Sequence, residues 1–189
     1  DMSGYDWTPI GIDGNHYFSG TFEGNGCTIS NLTITKDTTG YFGLLGITDA
    51  TIQNVNLTGS LTNTISDASG SYVGAVAGYI IGGAIRNCST SDFTITSSSD
   101  DLTLGQAVGG IVGVAESTQV ENCVSGTDIT LNFEYYYIGG VAGATVGSQV
   151  INCSYTGTLA LLGSGYADCG GIVGNNQQGS EISHCINAG

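Results

Sequence analysis

A repeated six-residue string constrains the fold of this chain more than any other feature of its sequence. Its close copies are residues 73–78 (VGAVAG), 108–113 (VGGIVG), 138–143 (IGGVAG) and 169–174 (CGGIVG), and a divergent copy is residues 41–46 (YFGLLG). The final glycines of these strings are Gly46, Gly78, Gly113, Gly143 and Gly174, separated by 32, 35, 30 and 31 positions. Periods of this length are typical of solenoids, in which each repeat stacks on the next.

A second string follows each copy after a short polar turn. It occurs as residues 52–55 (IQNV), 85–88 (IRNC), 120–123 (VENC), 150–153 (VINC) and 182–185 (ISHC), and residues 29–32 (ISNL) fit the same slots. Stretches rich in Thr, Ile and Phe come next, and Lys and Glu do not recur at helical spacing. We therefore predict an all-β, right-handed parallel β-helix of about five to six coils, with roughly 32 residues and three short strands in each coil.

The spacing within the second string predicts a corner. An aliphatic residue and the residue three positions later cannot share one face of a straight strand, whose side-chain period is two. Asn suits such a corner because it tolerates left-handed backbone. We expect the corner residues to stack as a ladder of hydrogen-bonded amides, formed by Asn31, Asn54, Asn87, Asn122 and Asn152.

Six cysteines leave two interpretations open: disulfides, or buried thiols that pack as small apolar side chains. Four of them share the last position of the second string, namely Cys88, Cys123, Cys153 and Cys185. Leu32 and Val55 hold that position in the earlier copies, and Cys169 replaces Val108 and Ile138 in another apolar column. We predict reduced, buried thiols, because parallel Cβ vectors in a stacked column disfavour the torsion of a disulfide. Cys27 lies outside both columns.

The two ends of the chain differ in sequence. Residues 1–38 depart from the repeat and are predicted to form a capping lead-in together with the first coil, whereas residues 39–189 form the repeats of the same structural domain. A solenoid needs cover for the apolar core at its ends, so we expect the lead-in rings to close the first coil: Trp7, Tyr17, Phe18 and Phe22. The last string has no such departure, and we expect that end to be open and the natural protein to continue.

Several stretches resemble a known family. Residues 7–11 (WTPIG), 18–26 (FSGTFEGNG) and 29–34 (ISNLTI) look like the lead-in that precedes GLUG motif arrays, and residues 43–46 (GLLG) and 110–113 (GIVG) are similar to the motif that names the family. The resemblance covers nearly the whole chain. It implies bacterial surface or secreted proteins, including adhesins and the non-catalytic regions of immunoglobulin A metallopeptidases, and it implies no catalytic residues. On that basis we expect a non-catalytic extracellular module that acts as an adhesin, a ligand-presenting segment or a spacer.

Charge restricts the partners. The formal net charge is −14, with only two Lys and Arg residues. We expect no nucleic-acid partner, because phosphate binding needs clustered basic residues. No apolar run approaches the roughly 20 residues of a membrane helix, so we expect no membrane insertion by this segment. The expected partners are other domains of the same polypeptide and a host glycan or protein ligand, and we expect no cofactor.

Catalysis and metal binding are the alternatives to a non-catalytic module. Glu116, Glu121 and Asp128 could lie together on one coil, as the carboxylates of a β-helical polysaccharide hydrolase or lyase would. Lyases, however, place basic residues beside their acidic substrates, and this chain has almost none. His16 and His184 lack the spacing of a metal motif. Structural calcium is disfavoured because the Asp residues do not recur at one repeat position; they include Asp13, Asp67, Asp92, Asp100 and Asp101.

An aromatic run is the sequence feature that most favours binding. Tyr135, Tyr136 and Tyr137 follow Phe133 on a long connection before the fourth copy of the motif, counting the divergent one. An exposed cluster of rings could stack on a sugar or a protein. If the run continues into the strand at Ile138, alternate residues must instead point inward.

Overall fold

The computed structural model describes residues 1–65, 70–99, 106–132, 135–163 and 166–189. Within these ranges the chain contains 23 strands and no helix, and all strands of the four sheets pair in parallel. Equivalent strands recur about once per 32 residues, so the predicted all-β solenoid is confirmed. A partial first circuit is followed by five coils in this described part of the chain.

Each coil contributes one strand to each of four sheets. Sheet I contains β3 (Gly40–Phe42), β7 (Ser71–Gly74), β11 (Gln106–Gly109), β15 (Tyr135–Gly139) and β20 (Tyr166–Gly170). Sheet II contains β4 (Leu45–Thr48), β8 (Ala77–Ile81), β12 (Val112–Glu116), β16 (Ala142–Val146) and β21 (Val173–Gln177). Sheet III contains β1 (Thr21–Glu23), β5 (Thr51–Gln53), β9 (Ala84–Arg86), β13 (Gln119–Glu121), β17 (Gln149–Ile151) and β22 (Glu181–Ser183). Sheet IV contains β2 (Thr28–Lys36), β6 (Asn56–Ile65), β10 (Ser89–Ser99), β14 (Val124–Asn132), β18 (Ser154–Tyr155) and β23 (Ile186–Asn187), and β19 (Leu159–Leu161) also pairs with β14.

The number of strands per coil differs from the prediction of three. The repeated string does not form one strand, because its middle residues bend into the core. In the second coil β7 ends at Gly74 and β8 begins at Ala77, while Ala75 and Val76 between them are fully buried. The string therefore supplies two strands, and each coil contains four.

The final glycine of the string allows sheets I and II to approach each other. A Cβ on Gly78 would lie 2.5 Å from the Phe42 backbone nitrogen and 2.6 Å from the Tyr72 carbonyl oxygen, both in sheet I. These are backbone atoms that cannot move aside as a flexible side chain could. Glycine at this position is thus required by the close approach of two strands.

The core consists of columns of apolar side chains that run along the solenoid axis. One column contains Ile52, Ile85, Val120 and Val150, all with no solvent exposure. Ile182 continues this column in the fifth coil but is 40% exposed. Each coil therefore depends on the next one for part of its burial, which is the expected behaviour of a solenoid.

The lead-in covers the first coil, with one exception to the prediction. Ile10 bridges to Leu45 in sheet II, and the indole Nε1 of Trp7 donates to the Leu44 carbonyl oxygen at 3.0 Å. Trp7, Phe18 and Phe22 are half-buried against the core. The prediction was wrong for Tyr17, whose side chain is 47% exposed beside the outer cleft near Ile47.

Candidate binding surface

Three tyrosines from the first two coils contact one another outside the core. Tyr41 in β3 and Tyr72 in β7 are register partners in sheet I, with ring centroids 5.5 Å apart and an interplanar angle of 19°. Tyr79 in β8 meets both rings edge-on, with its centroid 5.2 Å from Tyr72 and 5.9 Å from Tyr41. These distances lie in the range of favourable aromatic pairs. The arrangement fixes the orientation of all three rings.

Strand alternation explains why these rings lie outside. Tyr72 precedes the buried Val73, and Tyr79 precedes the buried Ile80, so both tyrosines point away from the core. Because Tyr72 belongs to sheet I and Tyr79 to sheet II, their contact means that the outer faces of the two sheets form a concave corner. Along this corner Tyr137 joins Tyr72 and Tyr79 in packing against three buried side chains, those of Ala107, Val114 and Ala144. We refer to Tyr41, Tyr72, Tyr79 and Tyr137 as the tyrosine surface.

One carboxylate is attached to the tyrosine surface. The Tyr79 hydroxyl donates to Glu116 Oε2 at 2.6 Å, which joins the second coil to the third. Burial, together with this hydrogen bond, raises the pKa of Tyr79 well above its ordinary value. Burial also raises the pKa of Tyr72. Both phenols are therefore neutral at physiological pH, and the surface offers aromatic faces beside the Glu116 carboxylate.

The predicted cluster at residues 135–137 is arranged differently. These residues form most of β15 rather than an exposed connection. Tyr136 points inward and is only 5% exposed, and burial raises its pKa. Tyr137 lies on the outer face, whereas Phe133 and the side chain of Tyr135 lie outside the described part of the chain. The prediction of an exposed cluster was wrong for Tyr136, because the strand begins earlier than the sequence suggested.

Sequence reasoning missed Tyr41, Tyr72 and Tyr79. A signal was present, since Tyr41 and Tyr72 each lie directly before a residue that the strand alternation places in the core. Tyr79 directly follows the motif glycine Gly78. What could not be seen is that the string bends and brings these positions of two sheets face to face.

The corner asparagines adopt the left-handed conformation that the sequence suggested. The φ angles of Asn54, Asn87, Asn122 and Asn152 lie between 52° and 57°, and His184 follows them at 56°. Asn87 Nδ2 donates to Asn54 Oδ1 at 3.2 Å, and Asn122 Nδ2 donates to Asn87 Oδ1 at 3.3 Å. Asn54 Nδ2 in turn donates to Glu23 Oε1 at 2.9 Å. We refer to this column as the asparagine ladder.

Asn31 does not belong to the asparagine ladder, so that prediction was wrong. Phe22, and not Ile29, is the register partner of Ile52. Ile29 pairs with Leu57 in sheet IV, and Asn31 lies at a β-bulge with a φ of 58°, where it donates to the Asp1 carboxylate at 3.0 Å. Asp92 has a similar φ at the corresponding bulge of β10. Corner and bulge both favour residues that accept left-handed backbone, which is why their strings look alike.

The four cysteines of the second string stack as predicted. Cys88, Cys123 and Cys153 are buried, and Cys185 is half-buried at the fifth coil. None of the four forms a disulfide. Hydrogen bonding to Cys153 and Cys88, together with burial, raises the pKa of the Cys123 thiol well above its ordinary value. We refer to these four residues as the cysteine column.

Three other positions differ from the predicted columns. Leu32 pairs with Gly59 in sheet IV and is therefore not a member of the cysteine column. Cys27 does hold the column's backbone position, because its carbonyl oxygen accepts from the Asn56 backbone nitrogen. One coil later, the Val55 carbonyl oxygen accepts from the Ser89 backbone nitrogen in the same way. The side chain of Cys27 is nevertheless exposed, because the preceding turn has two extra residues. Cys169 pairs with Ile138 as expected but is exposed in the fifth coil.

The candidate catalytic carboxylates lie on three different sheets. Glu116 ends β12 and accepts from Tyr79, while Glu121 ends β13 and lies 3.6 Å from Arg86 Nε. Asp128 in β14 accepts from the Thr158 backbone nitrogen and hydroxyl, each at 2.8 Å. Each carboxylate thus has a separate partner, and the geometry gives no paired general acid and base.

Metal ligands do not converge in the described ranges. No group of three or more His, Cys, Asp and Glu side chains there could hold a metal ion. The side chain of His16 lies 3.0 Å from Asp13 on an exposed turn. Asp67, Asp100 and Asp101 lie outside the described residues. In the same ranges, no helix is both long and apolar enough to span a bilayer.

Comparison with known proteins places this geometry in context. No family model matches the chain, and no solved structure matches it. The GLUG resemblance therefore stays a prediction. The chain is similar to part of Halomucin from Haloquadratum walsbyi (strain DSM 16790 / HBSQ001). The two are 34% identical over 127 residues, which cover 64% of this chain and 1% of Halomucin. The similarity thus concerns a small part of a far longer protein.

Proposed function

We propose that this chain is a rigid, non-catalytic spacer within a larger extracellular protein of the cell surface or the medium. The observation that carries the proposal is the stacking in register of the same positions through five coils. Continuous parallel sheets, apolar columns and the asparagine ladder all run along one axis. A segment of this kind resists bending because any bend must break contacts in several columns at once.

Three further observations support this setting. The similarity to a small part of Halomucin is that of a segment embedded in a very long polypeptide. The formal net charge of −14 disfavours anionic nucleic acids and keeps the segment soluble. The resemblance to GLUG arrays, with their lead-in and repeated motif, points to the same setting. The partners we propose are the neighbouring domains of the same polypeptide.

An exchange experiment in the parent protein tests the spacer function. Residues 1–189 would be deleted, or replaced by an unrelated β-solenoid of the same number of coils. An epitope tag on the far side of the segment would be probed with antibodies on intact cells. We expect deletion to reduce antibody access and the unrelated solenoid to restore it. Failure of the unrelated solenoid to restore access, despite correct folding, would contradict a pure spacer.

A role in ligand binding is favoured by the tyrosine surface. Its rings are held in place by mutual stacking and are accompanied by Glu116, which could accept from a sugar hydroxyl. The ligand we propose is a neutral glycan. A glycan array would be compared for the natural chain and the variant Tyr41→Ala/Tyr72→Ala. We expect binding to fall with this variant and not with the control Tyr5→Ala, whose ring is exposed next to the bridge from Asp6 to sheet IV.

A further inference from the structure

The cysteine column has one geometry repeated four times. Each Sγ atom lies 3.3 Å from the carbonyl oxygen two residues earlier, which belongs to Arg86, Glu121, Ile151 or Ser183. Each also lies 3.5 to 3.8 Å from a carbonyl oxygen of the preceding coil, which belongs to Ile52, Ile85, Val120 or Val150. The four side chains therefore share one rotamer, and their sulfur atoms repeat with the spacing of the coils.

That spacing suits a linear bond through a metal ion. Parallel strands stack about 4.8 Å apart, so neighbouring sulfur atoms of the column are separated by about the same distance. Bonds between a thiolate and a soft metal ion are roughly 2.3 Å long, so two such bonds in line span about 4.6 Å. The same spacing is far too long for a disulfide, whose sulfur atoms are about 2.05 Å apart. The column is thus arranged to share an ion without moving its backbone.

We propose that neighbouring thiols of the cysteine column bind a divalent, thiophilic cation that prefers two linear ligands, and that the first ion enters between Cys153 and Cys185. Hg(II) is the probe of this class. Two S–Hg bonds form, two S–H bonds break, and both protons pass to solvent without any change of oxidation state. A divalent ion and two thiolates make a neutral unit, which a buried, low-dielectric site accepts more readily than a charged one.

The position of the first site follows from access. Cys185 is half-buried in the fifth coil, whereas Cys88, Cys123 and Cys153 are buried. The Cys153 backbone nitrogen lies 3.4 Å from Cys185 Sγ, so these two residues are in direct contact. Zn(II) prefers four ligands, and no cage of three or more ligands occurs among the described residues. The column should therefore select linear over tetrahedral ions.

The test uses the full chain with its two exposed thiols and one buried thiol removed, as Cys27→Ser/Cys169→Ser/Cys123→Val, so that Cys153 and Cys185 are the one neighbouring pair left in the column. Hg(II) would be titrated into the reduced protein in competition with glutathione, with proton release and X-ray absorption recorded. We expect one tight ion with two sulfur neighbours, two protons released per ion, and no comparable binding of Zn(II). Cys185→Val in this background should weaken the first site at least about 100-fold, because one of two pre-positioned ligands is lost.

Valine is the informative replacement because Val55 already continues the column on the side away from Cys185. Cys88→Val serves as the matched control: it removes one thiol of the column far from the first site and should leave the affinity of that site unchanged. Circular dichroism would verify that each variant is folded. Equal affinity in the Cys185→Val variant, a shell of three or more sulfur atoms, or loss of the β signal on binding would each overturn the proposal.

Discussion

At the scale of single residues, the asparagine ladder shows how one side chain can serve two purposes. Asn87 accepts a left-handed backbone at the corner, and its amide links the coils on both sides. Alanine would lose both contributions, whereas glycine would lose only the amide bonds. Comparing the two substitutions at this corner therefore separates the effect of the backbone conformation on stability from that of the hydrogen bonds.

We expect Asn87→Ala to lower the free energy of unfolding by about 2 to 3 kcal/mol, from backbone strain and two lost hydrogen bonds. Asn87→Gly should cost about 1 kcal/mol less, because glycine adopts this conformation freely. Chemical denaturation of both variants measures the difference. Equal losses for the two variants would mean that the positive φ contributes nothing.

The ladder begins at a carboxylate, which makes it sensitive to pH. Hydrogen bonds from Asn54, Asn25 and Gln53 hold the pKa of Glu23 below its ordinary value. A group whose pKa is lower in the folded protein stabilises it above the unfolded pKa, and this contribution is lost as the pH falls through the folded pKa. We expect the melting temperature of Glu23→Gln to fall less than that of the natural chain as the pH is lowered below about 4. Parallel melting curves across this range would disprove the link.

At the scale of elements, the repeated string makes a bend rather than a strand, and its final glycine allows two sheets to approach. The backbone atoms nearest to Gly78 belong to β3 and β7, so any side chain there would push sheets I and II apart. The tyrosine surface lies at the same corner and depends on the same approach. Gly78 thus affects both the stability of the protein and the orientation of the rings of the tyrosine surface.

Gly78→Ala should destabilise the protein by about 3 kcal/mol or more, since the new methyl group meets rigid backbone. Gly14→Ala is the control, because a Cβ at Gly14 has no neighbour within 4 Å. Thermal unfolding followed by circular dichroism compares the two variants. A similar small shift for both would show that sheets I and II can separate at little cost.

The lead-in is the other element whose contacts can be tested. Trp7 packs on the core and donates to the Leu44 carbonyl, while Tyr17 is largely exposed. We expect Trp7→Ala to cost about 3 kcal/mol of unfolding free energy and Tyr17→Ala less than about 1 kcal/mol. Comparable losses in denaturant titrations would indicate that both rings close the first coil.

At the scale of the whole molecule, the apolar side chains of each coil are buried by the neighbouring coil. Ile182 is 40% exposed in the fifth coil, although its equivalents Val150 and Val120 are fully buried. The edges of all four sheets are likewise unpaired beyond β20, β21, β22 and β23 in the described ranges. The fifth coil is thus held on one side only.

An added coil should raise stability. A second copy of residues 158–189 placed after Gly189 would continue the period, since Gly189 stacks on Gly157. We expect a higher melting temperature, because the added coil buries apolar side chains such as Ile182 and pairs the open strand edges. The same extension with Asp in the core positions is the control. No increase over that control would contradict nearest-neighbour stabilisation.

The sequence by itself determined the solenoid, its period and the residue types at the corners. The recurring glycines and asparagines mark positions where the backbone lies close to another strand or adopts a left-handed φ. Such local requirements can be predicted from a single string. The same local character explains why residues 29–32 were misplaced, since a bulge and a corner favour the same residue types.

Only the tertiary structure decided which strands face each other. The bend after Gly74 turns one predicted strand into two, brings Tyr72 and Tyr79 together outside the core and places Tyr136 inside it. These outcomes depend on the angle between sheets and on where each strand begins. That information resides in contacts between residues about 30 positions apart, in neighbouring coils, and not in any one string.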